Sequence, residues 1–349
     1  MKITEQILSG QVLLGEDLVL SPVDIIIRDG IITAIEENHK APPIIFCPAL
    51  FNAHTHLGDT IAMDCGATGD LAALVTPPNG LKHRLLAAAS RADLVGGMRA
   101  SLEDMARSGI AGCADFREGG REGVLALRDA ARDLPVTPFI FGREGGEMVA
   151  EGLGISSTRD VMDVERQVQD ARRAGKTVAF HAGERDPDDV DDALAFDPDF
   201  IIHATHATKK QLRLCAEKEI PIAVCPRSNW ILGVAKSRNQ PPLRLMQDCG
   251  CRILLGTDNV MFVPPDLFSE MAFVSAVYGL EPRDILRSAI AGSGLTGNPY
   301  FIRPGAPANL FGIEFSATAL RFTRDPLATV VKRANFANIA RNLFNSQLK

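Results

Sequence analysis

Apolar residues recur along the chain in two rhythms. In the first forty or so positions they form short runs, Gln11-Val12-Leu13-Leu14 and Asp24-Ile25-Ile26-Ile27-Arg28, and Asp29-Gly30 separates the second run from Ile31-Ile32-Thr33-Ala34-Ile35. An Asp-Gly step between β-branched runs is a hairpin signal. From Ile44 onward short apolar runs alternate with longer amphipathic segments, as βαβ units on a parallel sheet do. Strands are expected near residues 44–50, 110–116, 136–143, 177–183, 200–205, 221–226 and 252–257. An eighth must lie between 143 and 177, where Gly152-Leu153-Gly154-Ile155-Ser156-Ser157 is the candidate. Thr158 to Ala174 then reads as a helix, with Val161, Val164, Val168 and Ala171 at helical spacing and Gly175 as its stop.

Eight strands with intervening helices predict a (β/α)8 barrel over residues 44–301 rather than an open doubly wound sheet. After Gly297-Asn298-Pro299, the turn-rich Arg303 to Phe311 enters a second β-like region, and the tail begins with the β-branched Ala328-Thr329-Val330-Val331. The expectation is a small composite β domain built from residues 1–43 and 302–349, beside the barrel.

Polar clusters stand where the apolar runs end. Asn52-Ala53-His54-Thr55-His56, His181-Ala182-Gly183-Glu184 and His203-Ala204-Thr205-His206 hold five of the seven histidines, and Gly256-Thr257-Asp258-Asn259 adds a carboxylate. His54 and His56, two apart on an extended segment, point to one face and can reach a common ion. Asp258 leaving an apolar strand is costly to bury unless a cation or proton donor meets it. In a parallel barrel every strand C-terminus opens on the same face, which is where barrel enzymes carry their chemistry. Imidazoles, a carboxylate and an open position suit Zn²⁺ first, with Fe²⁺ or Mn²⁺ tolerated.

The remaining composition narrows the class. Lys and Arg number 37 against 43 Asp and Glu, a formal charge of −6, with no basic run, so nucleic acid is not an expected partner. No stretch reaches the roughly 18 apolar residues of a membrane span, and no secretory leader pattern opens the sequence. A cytoplasmic protein acting on a small molecule, with room for a homo-oligomer, is expected. The seven cysteines are scattered without a CxxC pair, and Cys47, Cys113 and Cys225 read as small buried hydrophobes. Cys225-Pro226-Arg227-Ser228 does not supply the paired cysteines of cytidine-deaminase-type zinc sites.

The four strings, with Cys225-Pro226-Arg227-Ser228-Asn229, occur in the order found in the amidohydrolase superfamily, and the chain resembles its branch of triazine hydrolases and guanine, cytosine and adenosyl-compound deaminases. The resemblance spans about residues 44–310, and the flanking segments look like the family's composite β-sandwich. It implies His54, His56, His181 and Asp258 as ligands of one divalent metal, with Glu184, His203 and Asp258 handling protons. The family's binuclear members take a carboxylated lysine from the fourth strand. Gly152 to Ser157 has none and Lys176 precedes the fifth, which implies a mononuclear site. The family's usual glycine before the first motif is Ala49 here.

The implied reaction is attack of hydroxide, derived from metal-activated water, on an electrophilic ring carbon, with Glu184 protonating a ring nitrogen and ammonia leaving. Chloride, an alkylamine or a ring amide are alternative leaving groups, and a barrel kept only as a binding module is the alternative without catalysis. Lys82 and His83 of the loop after the first motif (residues 76–83), Arg117 and Glu118, Arg143, and Arg227, Asn229 and Trp230 are candidates to line the substrate pocket. His206 reads as a bystander.

Overall fold

The computed structural model describes residues 5–65, 71–76, 79–316 and 318–344. Pro77 and Pro78 of the predicted pocket loop lie outside them. The N-terminal runs form three antiparallel strands, β1 (Glu5–Leu14), β2 (Val19–Arg28) and β3 (Ile31–Glu37), and Asp29 and Gly30 make the last turn with φ of 48° and 78°. They join β4 (Ile44–Pro48) and two strands from the other end of the chain, β14 (Leu310–Glu314) and β15 (Ile339–Leu343), in one six-stranded mixed sheet of order β15-β14-β4-β1-β2-β3. Leu8, Val12, Val23, Ile25, Phe46 and Leu310 form its separate apolar core.

The predicted strand over 44–50 is in fact a junction. Ile44–Pro48 pair with β14, the Ala49 N–H still donates to Asn309 O, and the first barrel strand, β5 (Leu50–His56), begins at the next residue. The β-branched stretch after Leu327 also differs from its sequence reading. Pro326–Arg333 is a helix, started by Asp325, whose carboxylate accepts from the Ala328 N–H, and by proline at the first turn. Its buried Val330 and Val331 belong to the barrel's core, and it packs on the helices Leu267–Tyr278 and Pro282–Ala291. Likewise the helix expected from Thr158 begins at Val164.

The barrel runs through β5, β6 (Ile110–Arg117), β7 (Thr137–Gly142), β8 (Gly152–Ile155), β9 (Thr177–Ala182), β10 (Phe200–His203), β11 (Ile222–Val224) and a divided eighth strand, β12 (Ile253–Leu255) and β13 (Asp258–Asn259), all parallel. The division closes the barrel: β12 pairs with β11, β13 pairs with β5, and between them the Gly256 N–H donates to Val224 O while the Thr257 N–H donates to His54 O. Only glycine fits at 256, because a Cβ there would stand 2.7 Å from the His54 nitrogen. Asn52 clamps the same seam, donating to Thr257 Oγ1 at 2.8 Å and accepting from its N–H at 3.1 Å.

Candidate metal centre

The closure of the barrel brings the histidine strings together. His54 and His56 come from the end of β5, His181 from β9, His203 from the end of β10, and Asp258 opens β13. All five are buried. Asp258 Oδ1 lies 3.2 Å from His54 Nε2 and 3.5 Å from His56 Nε2. Three overlapping groups, His54/His181/His203, His54/His56/Asp258 and Glu184/His203/Asp258, each hold donor atoms within 4.8 Å of one another. His203, Ala204 and Asp258 adopt φ of 75°, 46° and 65°. Such left-handed backbone costs about 1–3 kcal/mol per residue and persists where the surroundings enforce it, as at functional sites.

Hydrogen bonds sort the imidazoles. His181 Nδ1 meets Ile155 O at 2.9 Å, so it must carry the proton and Nε2 is left as a bare lone pair. His56 does the same, with Nδ1 3.0 Å from Phe116 O and 2.8 Å from Glu118 Oε1. A ring nitrogen fixed by such a partner is how metal-binding histidines are held. His203 is opposite. Asn229, whose amide oxygen accepts from Thr205 Oγ1 at 3.2 Å, turns its Nδ2 donor to His203 Nδ1 at 3.4 Å. This pattern assigns the His203 proton to Nε2, which faces Glu184 Oε1 at 3.6 Å.

The donor set fits a cation. Both nitrogens of the fully buried His54 lack a hydrogen bond, the approach to Asp258 being misaligned for one. A buried polar atom without a partner costs roughly 1–3 kcal/mol. Burial pushes His54 down to about 4 and His56 down to about 3, and holds His181 well below the usual imidazole range, so all three are neutral ligands at physiological pH. Burial alone would raise Asp258, but His54, then His203 and His56, hold it well below the usual carboxylate range. Ser228 Oγ donates to its second oxygen at 2.7 Å. Neutral imidazoles with one carboxylate suit a single divalent metal. The fourth barrel strand, β8, supplies no lysine, and Lys176 donates to Ala150 O beyond the other end of that strand.

A small cavity of about 50 Å³ opens on this cluster, lined by His56, His181, His203, Glu184, Asp258 and Asn259, and by Lys82, His83, Glu118 and Arg143. Burial pushes Glu184 above its ordinary value, a trend that His203 opposes. Lys82 is an anchor as well as a lining group: its Nζ reaches Glu118 at 2.9 Å and Asp59 and Asn259 at 3.2 Å each, all buried. His83 Nε2 meets Val75 O at 3.0 Å. Arg117 is buried between Asp115 at 3.3 Å and Glu118 at 2.5 Å, and faces a larger cavity on the far side of Glu118 that contains no histidine of the cage.

The other predicted pocket residues turn toward the scaffold. Arg227 binds Glu270 through Nε and its backbone N–H, and the carbonyls of Pro264 and Asp266 through Nη2. Trp230 Nε1 donates to Tyr278 at 2.9 Å, and Asn229 is committed to His203 and Thr205. His206 Nδ1 lies 3.3 Å from Gln240, outside the cage. Two buried acids beside the cage cavity, Asp115 and Asp59, escaped sequence reading, as did Glu270 under Arg227. Asp115 accepts from the Leu57 N–H at 2.6 Å and Thr55 Oγ1 at 3.2 Å, and Asp59 pairs with Lys82. Asp115 does lie in the same β6 end as Arg117-Glu118, which was the available signal.

Comparisons with known proteins agree with this geometry. Residues 45–151 match the family model described as amidohydrolase family, and residues 151–295 match the one described as adenosine deaminase. A putative aminohydrolase of Methanothermobacter thermautotrophicus is 32% identical over 95% of both chains. Among solved structures, a zinc-bound adenosine deaminase from Xanthomonas campestris superposes with a TM-score of 0.75 at 18% identity, over 97% of this chain and 91% of that one. A zinc-bound atrazine chlorohydrolase from Arthrobacter aurescens gives 0.76 at 17% identity, over 93% and 90%. With a relative 32% identical over nearly its whole length, a parallel barrel closed at Gly256 and a buried His/Asp cage at its C-terminal face, the chain belongs to the amidohydrolase superfamily and is a metal-dependent hydrolase.

Proposed function

We propose that the protein is an aminohydrolase that exchanges a ring amino group of a nitrogen heterocycle for oxygen and releases ammonia. The observation that carries this reading is the position of Glu184, one-fifth exposed, in the wall of the cage cavity beside His203 and Asp258. Departure of chloride needs no proton on the leaving atom, whereas an amine leaves only after protonation. Glu184 can protonate the ring nitrogen, and Asp258, once it holds the proton from water, can protonate the amine, so the cavity wall carries both of the protons that departure of an amine requires. The relatives' names, putative aminohydrolase and adenosine deaminase, point the same way.

In this reading His54, His56, His181 and Asp258 hold one metal ion, and the ion supplies a water-derived nucleophile at neutral pH. Glu184, kept protonated by burial once substrate covers it, gives its proton to a ring nitrogen as the adjacent carbon is attacked. Asp258 accepts the proton released from water, and the His203 Nε2–H donates to the oxygen that accumulates charge. The proton taken by Asp258 then goes to the amino group, which departs as ammonia, and the hydroxyl proton of the adduct returns to Glu184 as the ring carbonyl forms. Water supplies the oxygen and both protons, so the exchange balances. Lys82, His83, Glu118 and Arg143 line the substrate space, and Arg117, Arg227, Asn229 and Trp230 support residues around it.

Ammonia release from a panel of amino-purines, amino-pyrimidines and pterins tests the proposal. Metal-loaded wild type should release ammonia from at least one class, and Glu184→Gln should lose roughly 10²- to 10⁴-fold in kcat/KM while keeping one equivalent of metal. Silence across the panel with one equivalent of metal bound, or release of chloride or alkylamine from the corresponding chloro- or alkylamino-heterocycles in its place, would overturn it.

A further inference from the structure

Arg143 differs from the other cations around the cage cavity. Lys82 is consumed by Asp59, Glu118 and Asn259, and Arg185 is held by Asp160 at 2.8 Å. Arg143 follows the C-terminal end of β7, with 11% of its side chain exposed, and its Nε and Nη2 are buried without a hydrogen bond. Among the described residues its one ion-pair neighbour is Glu118, whose Oε1 stands 3.6 Å from Nη2, beyond hydrogen-bond reach. Lys82 Nζ at 2.9 Å and His56 Nδ1 at 2.8 Å stand closer to that oxygen than Arg143 does. A guanidinium cannot shed its proton, so the unused donors must be met by something that enters the cavity.

We propose that Arg143 is a specificity-determining residue that receives an anionic oxygen group, a carboxylate or a phosphate, carried by the heterocyclic substrate. Two oxygens on one such group match the guanidinium fork, whereas a hydroxyl or a ring carbonyl satisfies one donor and brings no charge. The placement fits: Arg143 and the cage residues line one continuous cavity, so a ring at the cage and an acidic substituent at Arg143 are held by the same molecule. The inference rests on the aminohydrolase reading for the heterocycle, and on the unused hydrogen-bond donors of Arg143 for the acidic group.

Equilibrium binding to metal-loaded Glu184→Gln protein tests it, with paired neutral and acidic probes: adenosine and adenosine 5′-monophosphate, cytidine and cytidine 5′-monophosphate, and a pterin with its 6-carboxylate. At least one acidic probe should bind roughly ten- to a hundredfold more tightly than its neutral partner, the range of a charge-assisted hydrogen-bonded pair. Whether the phosphates or the carboxylate show the preference identifies the group. Adding Arg143→Gln should bring that ratio close to one, and Arg143→Lys should restore part of it. Equal binding of every pair, absence of binding by all acidic probes, or a preference that survives Arg143→Gln would each overturn the inference. If Arg143→Gln does not fold, the ratio measured on the parent protein still decides. Acidic preference without ammonia release in wild type would refute the aminohydrolase reading and leave Arg143's role standing, whereas ammonia release with equal binding would do the reverse.

Discussion

At the scale of single residues, the cage is divided by where each imidazole keeps its proton. His56 and His181 are chemically identical to His203, yet a backbone carbonyl fixes the Nδ1 proton of the first two and an amide donor removes it from the third. Asn229→Asp tests this directly. A carboxylate cannot donate, so His203 would take its proton at Nδ1 and present a bare Nε2 to Glu184. The expected result is a loss of roughly 10²- to 10⁴-fold in kcat/KM with one equivalent of metal retained. Imidazole ¹⁵N shifts distinguish the two tautomers, and an unchanged His203 spectrum would refute the assignment. The ligand-bearing strings were legible in the sequence because polar residues interrupt apolar runs at each strand end. The tautomers were not, because Ile155, Phe116 and Asn229 reach their histidines across 26, 60 and 26 positions of chain.

At the scale of elements, the seam between the first and last barrel strands assembles the site. Thr257 pairs with His54, Asp258 with Thr55 and Asn259 with His56, so the register of this junction sets the distance from Asp258 to both β5 histidines. A methyl group at Gly256 would push into the His54 backbone at 2.7 Å. Gly256→Ala should therefore lower both the thermal midpoint and metal occupancy, by calorimetry and elemental analysis; loss of stability with full metal content would show that the seam does not set the cage. The βα rhythm made most barrel strands readable, including the short Gly152–Ile155. Two elements were misread for physical reasons. Ile44–Pro48 looks like a barrel strand because both sheets bury apolar strands, and Val330 and Val331 look like strand residues because the packing that makes them helical comes from helices some fifty positions away.

At the scale of the whole molecule, neutral histidines in the interior make stability depend on pH. In the metal-free protein His54 and His56 titrate near 4 and 3, against 6.5 for a free imidazole. Between about pH 6.5 and 3 the unfolded chain thus binds more protons than the folded one, so stability is present above 6.5 and is lost as pH falls through that window. Chelator-treated protein should show a lower urea midpoint at pH 4.5 than at pH 7. His54→Ala/His56→Ala should flatten that dependence, and an equally steep dependence in the variant would assign it to other groups. The buried acids and bases around Lys82 add a second cost at this scale, since removing one partner of a buried pair typically costs about 3–5 kcal/mol. Among the described residues no helix is long and apolar enough to cross a membrane.

The sequence by itself determined the fold class, the hairpin at Asp29-Gly30, the residues that meet at the cage and the lack of a fourth-strand lysine. Each of these is written locally, in periodicity, turn chemistry or residue type at a strand end. Only the tertiary structure decided which histidine keeps its Nε2 proton, that Arg117 and Arg227 hydrogen-bond to buried carboxylates, and that Arg143 does not. The physical reason is that a polar side chain's role depends on whether its hydrogen bonds are already satisfied. Those partners lie on other strands, brought within reach only when the barrel closes.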